Sequence, residues 1–167
     1  MIFLTVGSRY GFDRLVRAVD DMVYRGEIDD DITAQIGVGA YEPRHMHFDR
    51  FIDAHRYDAR IRDSRMLIGH AGSGTISLAV TNCKPLLVLP RRKRYHEHVN
   101  DHQVATARKF DELRHVLAAD EAEDLPRRFT ELRDFVPARR LARTDELAGR
   151  LGEFLLTVEP KVRRRSP

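Results

Sequence analysis

The chain has 167 residues, 42% of them hydrophobic and 33% charged, with a formal net charge of +3. That apolar mass suits one compact domain and excludes wholesale disorder, while the lone Cys83 excludes an internal disulfide and fits a reducing compartment. No stretch reaches the roughly 18 apolar residues of a membrane-spanning helix, so the chain is expected to be soluble or at most peripheral to a membrane.

The segment Ile2-Phe3-Leu4-Thr5-Val6 is apolar, lacks a basic leader and runs straight into Gly7, which reads as a buried strand rather than a signal peptide. After Asp13, an expected N-cap, Leu15, Val16, Val19, Met22 and Val23 share one helical face, and Gly26 closes that helix. Residues 32–38 read as a second strand, followed by turn chemistry through Pro43. A short third strand near Phe48 to Ile52 and a helix over residues 58–64 complete this half. Met66-Leu67-Ile68-Gly69 is a clearer strand, and Ile76, Ala79, Val80 and Cys83 mark the next helix face at i, i+3, i+4 and i+7. The wholly apolar run between Pro85 and Pro90 is expected at the centre of a parallel sheet. Residues 97–109 read as loop then helix, and residues 115–117 as a last strand. A C-terminal helix carries Leu147, Leu151, Phe154, Leu155 and Val158 on one stripe, and residues 161–167 form a basic tail. The alternation amounts to one α/β domain over residues 1–160, a doubly wound, Rossmann-like parallel sheet.

The charge is unevenly placed. Arg91, Arg92, Lys93 and Arg94, with Lys161, Arg163, Arg164 and Arg165, hold eight of the 29 positive residues, leaving 21 against 26 acids elsewhere. An acidic body with two basic spots lacks the extended basic face that duplex nucleic acid requires, so no nucleic-acid partner is expected. The first spot adjoins a candidate site and offers attraction to a diphosphate or an anionic headgroup; a solvated loop accounts for it equally well.

In a doubly wound sheet the ligand lies outside the carboxyl ends of the strands. Three loops there have suitable composition. Gly7-Ser8 lets the backbone approach a ligand and offers a hydroxyl and an amide to an anion, although the pair is also ordinary turn punctuation. His70-Ala71-Gly72-Ser73-Gly74-Thr75 joins a buried strand to a helix N-terminus, where free N–H groups and the helix dipole favour phosphate or pyrophosphate. It lacks the Gly-Lys-Ser/Thr of a P-loop and the G-x-G-x-x-G of a dinucleotide fold. His70 either helps bind that anion or hydrogen-bonds its own loop. Glu97, His98, Asp101, His102 and Gln103 offer donors and acceptors suited to sugar or ribose hydroxyls. His98 and His102 stand at i, i+4, but no H-E-x-x-H or cysteine pair accompanies them, so no metal and no cofactor are expected. A hydrolase elbow needs glycines where Ala71 and Thr75 stand around Ser73.

Together, residues 3–8 (Phe-Leu-Thr-Val-Gly-Ser), His70 to Thr75, Lys84-Pro85-Leu86 with Pro90-Arg91-Arg92, and Glu97 to Gln103 resemble glycosyltransferase family 28 C-terminal domains across residues 1–109. The likeness is closest to stand-alone small subunits of bacterial exopolysaccharide glycosyltransferases, which are similar to the catalytic subunit of the eukaryotic dolichol-linked UDP-GlcNAc transferase. The resemblance implies the C-terminal, nucleotide-sugar half of a GT-B fold. Gly7, Ser8, His70, Gly72, Ser73, Gly74 and Thr75 would then meet the diphosphate, and Glu97, His98, Asp101, His102 and Gln103 the hydroxyls. It implies inverting hexosyl transfer from a UDP-sugar to a lipid-linked saccharide, with a membrane-associated partner subunit supplying the acceptor site and the general base at the cytoplasmic face. A homodimer is a further expectation for the chain expressed alone, and a non-catalytic nucleotide-sugar-binding regulatory module is the alternative. Where larger members carry a ribose-binding glutamate, this chain has Leu78; either Glu97 replaces it or donor affinity is weak.

Overall fold

The computed structural model describes residues 1–138. The expected stripe from Leu147 to Val158, the domain end at residue 160 and the basic tail at 161–167 lie outside the described residues.

Six parallel strands form one sheet in the order β3-β2-β1-β4-β5-β6. They are β1 (Ile2–Thr5), β2 (Ile32–Gln35), β3 (His47–Asp49), β4 (Met66–His70), β5 (Leu86–Leu89) and β6 (Leu117–Ala118). The helices are α1 (Asp13–Tyr24), α2 (Ala54–Asp63), α3 (Ser73–Thr81), α4 (His102–Glu112) and α5 (Leu125–Leu132). The expected doubly wound α/β architecture is present.

Strand periodicity explains the two-sided core. Ile2, Leu4 and Val6 point to the face covered by Leu15, Val16, Val19 and Met22 of α1 and by Leu125, Phe129 and Leu132 of α5. Phe3, Leu67, Leu86 and Val88 point the other way, against Ile61 of α2, Ile76 and Ala79 of α3, and Ala107 of α4. Because β1, β4 and β5 are covered on both faces, they read as continuous apolar runs rather than alternating ones.

Several local expectations shift. Phe12, not Asp13, is the N-cap of α1; Asp13 is its first helical residue, and its Oδ2 accepts from Ala40 N at 3.1 Å. The apolar run before Pro90 lies one strand in from the sheet margin, and β1 with β4 holds the centre. Cys83 leaves the helical face because α3 ends at Thr81 and Cys83 turns back at φ 51°, exposed. Gly26 does close α1, at φ 71°.

Among the described residues no helix is long and apolar enough to cross a membrane.

Candidate functional site

A cleft of about 900 Å³ opens where the carboxyl ends of β1, β2 and β4 meet the segment that follows β5. Its lining includes Gly7, Ser8, His70, Gly74, Thr75, His98, His102 and Gln103, which are eight of the expected site residues. The crossover between β1 and β4, where the strand order reverses, places the cleft at the topological switch point.

The floor is built by side-chain bonds among the strand ends. Gln35 Nε2 donates to Gly7 O and to Arg50 O, each at 3.0 Å, and Gln35 Oε1 accepts from Gly7 N at 3.1 Å and from Thr5 Oγ1 at 2.9 Å. These bonds hold Gly7 at φ 73°, a left-handed conformation natural to glycine. The Thr5 hydroxyl also contacts Tyr57 Oη at 3.2 Å, which fixes α2 to the floor.

His70 stands at the end of β4 with its ring between two glycines. A Cβ on Gly7 would meet His70 Cε1 at 3.0 Å, and one on Gly72 would overlap Nε2 and reach Cδ2 at 2.8 Å. Both glycines therefore exist for the imidazole as much as for any ligand. Burial, reinforced by the nearby Arg91 charge, pushes the His70 pKa down to about 4. At neutral pH the ring is uncharged and its Nδ1 is buried without a hydrogen-bond partner. Of the two expected roles for His70, a cationic anion clamp is thus disfavoured. A neutral donor remains available to a ligand.

Gly72 is the N-cap of α3, and no side chain caps the first turn. The helix therefore presents backbone N–H groups toward the cleft at Gly74 and Thr75, with Ser73 exposed just outside the lining.

The third expected loop divides. His98 packs its ring between Tyr10 and His102, with centroids 5.1 and 4.6 Å away, and the three line one wall. Burial, then His102 and Arg91, lowers the His98 pKa. Gln103 is buried, and its Oε1 accepts from Arg91 N at 3.1 Å. Glu97 and Asp101 are not in the lining. Asp101 is exposed and accepts from Lys93 N at 2.8 Å. Glu97 is gripped by Arg14, with Nε to Oε1 at 2.7 Å and Nη2 to Oε2 at 2.9 Å, and its Oε2 also accepts from Arg92 N at 3.0 Å. Its carboxylate is committed to the protein rather than turned to a ribose.

The basic run beside the site is likewise largely engaged. Arg91 is buried, Arg92 pairs with Glu121 at 3.0 Å, and Arg94 pairs with the same carboxylate; only Lys93 is left as an exposed cation without an ion-pair partner among the described residues. The expected free patch is therefore a brace between the loop after β5 and the end of β6. Among the described residues no group of three or more His, Cys, Asp or Glu side chains is placed to hold a metal ion.

The sequence matches the glycosyltransferase family 28 C-terminal domain over residues 1–147. The chain belongs to this family. No curated protein matches it. Among solved structures, this family 28 domain is similar to the glycotransferase of kitacinnamycin, with 18% identity and a TM-score of 0.60 over 93% of this chain and 39% of that one. It is also similar to MurG of Acinetobacter baumannii, with 21% identity and a TM-score of 0.57 over 79% of this chain and 41% of that one. The solution structure of ALG13 aligns with 17% identity and a TM-score of 0.57 over 93% of this chain and 96% of that one. The family 28 domain thus spans about two fifths of the first two proteins and nearly all of ALG13. The shared fold is the Rossmann-like C-terminal half of GT-B glycosyltransferases.

The structure adds residues that sequence patterns do not reveal: Gln35, Tyr57, Asp58, Arg9, Tyr10 and Arg91 all line the cleft of the family 28 domain. Gln35 and Tyr57 lie on elements whose polar positions look like ordinary strand and helix exposure. The signal available for Gln35 was a polar residue ending an apolar strand in line with Gly7. Leu78 also lines the cleft, so the position of the missing glutamate faces the site with an apolar side chain.

Glu97→Ala should lower thermal stability and leave UDP affinity within about threefold of wild type. A double-mutant cycle with Arg14→Ala should give a coupling of about 1 to 3 kcal/mol, because the pair is bidentate and mostly buried. A large loss of UDP affinity at unchanged stability would return Glu97 to the ligand.

His70 also predicts a pH dependence. Its folded pKa, near 4, lies below its ordinary 6.5, so the unfolded chain binds more protons between those values. The stabilisation from keeping His70 neutral is complete above pH 6.5 and is lost as pH falls toward 4. Denaturant titrations of wild type and His70→Gln should show a steeper decline in wild type across that window, and parallel curves would contradict the assignment.

Proposed function

We propose that the chain binds a UDP-sugar in the cleft and serves as the donor-binding, catalytic subunit of an inverting hexosyltransferase. The observation that carries this reading is the convergence, at the switch point of a family 28 domain, of the Gly7 bend, the uncapped first turn of α3 and a neutral His70. Backbone N–H groups at a helix N-terminus suit a diphosphate, and they stabilise the negative charge that grows on it as the sugar departs. In this reading no metal ion is required. His98, His102 and Gln103 face the hydroxyls of the donor, and the apolar wall of Ile52, Tyr57 and Leu78 accommodates the nucleoside.

Transfer needs a base to deprotonate the acceptor hydroxyl. The base comes from a membrane-associated partner subunit that also binds a lipid-linked saccharide acceptor, so the complex works at the cytoplasmic face of the membrane in polysaccharide synthesis. The chain spans only about two fifths of the kitacinnamycin enzyme and MurG, which leaves the acceptor half to a second protein.

The test couples calorimetric titration of the purified chain with UDP to a radiolabelled UDP-sugar assay in membranes. The assay is run with and without a coexpressed protein that carries a hydrophobic N-terminal anchor. UDP binding by the chain alone, with transfer only in the assembled complex, is the expected result. Full transfer without a partner would overturn the assignment of the base, and binding without turnover in the complex would favour a regulatory module. Failure to bind UDP at all would overturn the donor site.

A further inference from the structure

Arg91 is a buried cation without an acid of its own. It is 2% exposed, its Nε has no hydrogen-bond partner, and no carboxylate pairs with it among the described residues. Glu97, whose field acts on it, is already held by Arg14. A buried charge left in this state is costly unless something else uses it. Its hydrogen bonds show what it holds. Nη2 donates to Val6 O at 2.6 Å and to Tyr10 O at 2.7 Å, its guanidinium carbon lies 4.9 Å from the Phe12 ring centroid, and its backbone N donates to Gln103. One residue therefore ties the loop after β1 to the end of β5 and the start of α4. It also lines the cleft, beside a His70 that is neutral at physiological pH, so the formal positive charge next to that imidazole belongs to Arg91.

We propose that Arg91 is a positioning residue for the donor's diphosphate: it fixes the loop from Val6 to Tyr10 around the phosphates and supplies the uncompensated buried charge that attracts them. This rests on the donor-site reading above and assigns its electrostatics to one side chain. The only other cation in the lining, Arg9, is exposed, and its field is screened by salt.

The experiment compares UDP with uridine, which shares the nucleoside but carries no phosphate, on wild type, Arg91→Met and Arg91→Lys. Affinities come from calorimetry and ligand-observed NMR, and folding from circular dichroism. Wild type should prefer UDP; Arg91→Met should lose at least about tenfold in UDP affinity while uridine changes by less than about threefold. Arg91→Lys, which retains the charge but not the two-carbonyl fork, should keep much of the UDP preference at a lower melting temperature. Equal losses for both ligands, or an unchanged UDP preference in folded Arg91→Met, would overturn the proposal. If Arg91→Met does not fold, Arg91→Lys decides alone: a retained preference supports the charge and a lost one overturns it. A wild-type chain that binds neither ligand would refute the donor site itself, and this inference with it.

Discussion

Replacing Gly72 with valine is expected to abolish UDP binding while the sheet stays folded. The backbone at Gly72 has φ −79° and ψ 138°, an extended conformation that a β-branched residue adopts without strain. The effect therefore comes from the side chain alone. A Cβ there collides with the His70 ring, and the ring has no room on its other side, where Gly7 stands within contact distance of Cε1. The imidazole must swing out of its slot, and the only open volume is the cleft, where it would displace the diphosphate from the α3 N-terminus. A loss of at least about a hundredfold in UDP affinity is expected by calorimetry. Far-UV circular dichroism should be unchanged, because α3 begins one residue later. Gly74→Ala is the matched control, since a Cβ at Gly74 meets no protein atom within 4 Å. It should gain roughly 0.5 kcal/mol of stability or more from helix propensity. Unchanged UDP affinity in the folded Gly72→Val protein would refute the assignment of the pyrophosphate loop.

The largest loss of stability is expected from Asp20→Ala. Asp20 is 1% exposed on α1, and it accepts from Tyr41 Oη at 2.7 Å, Arg44 N at 3.0 Å and His45 N at 2.8 Å. It is the anchor of the segment between β2 and β3. Alanine leaves that hydroxyl and two backbone donors without a partner, which costs about 2 to 4 kcal/mol and lowers the melting temperature by roughly 5 to 15 °C. The pH dependence separates charge from shape. Burial raises the Asp20 pKa, but the backbone bonds of Arg44 and His45 and the Tyr41 hydroxyl outweigh it, so the folded value lies below the ordinary 3.8. The stabilisation is thus present above pH 4 and fades as pH falls through the folded value. The stability gap between wild type and Asp20→Asn should narrow in acid, and a constant gap would mean that the charge contributes nothing.

What was legible in the sequence follows from how each element is buried. The strands β1, β4 and β5 lie between two helical layers, so their apolar runs mark themselves. The region of β3 and α2 was poorly legible because its burial is thin: α2 buries only Ile61, and Phe48 and Phe51 are exposed. An amphipathic pattern cannot form where so little is covered. In the cleft, the glycine-rich loop was readable because a close approach of backbone and ligand demands small residues. Glu97 was not, because its role depends on Arg14, 83 positions away, and no local spacing encodes that pair. Arg91 was hidden in a different way. Within Arg91-Arg92-Lys93-Arg94 it looks like one more surface cation, and only the fold separates the buried member from its neighbours.

The sheet margins bear on how this chain meets other copies of itself. The outermost strands have three and two residues, His47–Asp49 and Leu117–Ala118. A ladder that short can lend a visiting strand only one or two main-chain bonds, well below what edge-to-edge association needs. Along these margins the domain resists growth by strand addition, so a homodimer built from the described residues would have to join through side-chain surfaces. Its affinity would then answer to surface substitutions rather than to backbone pairing.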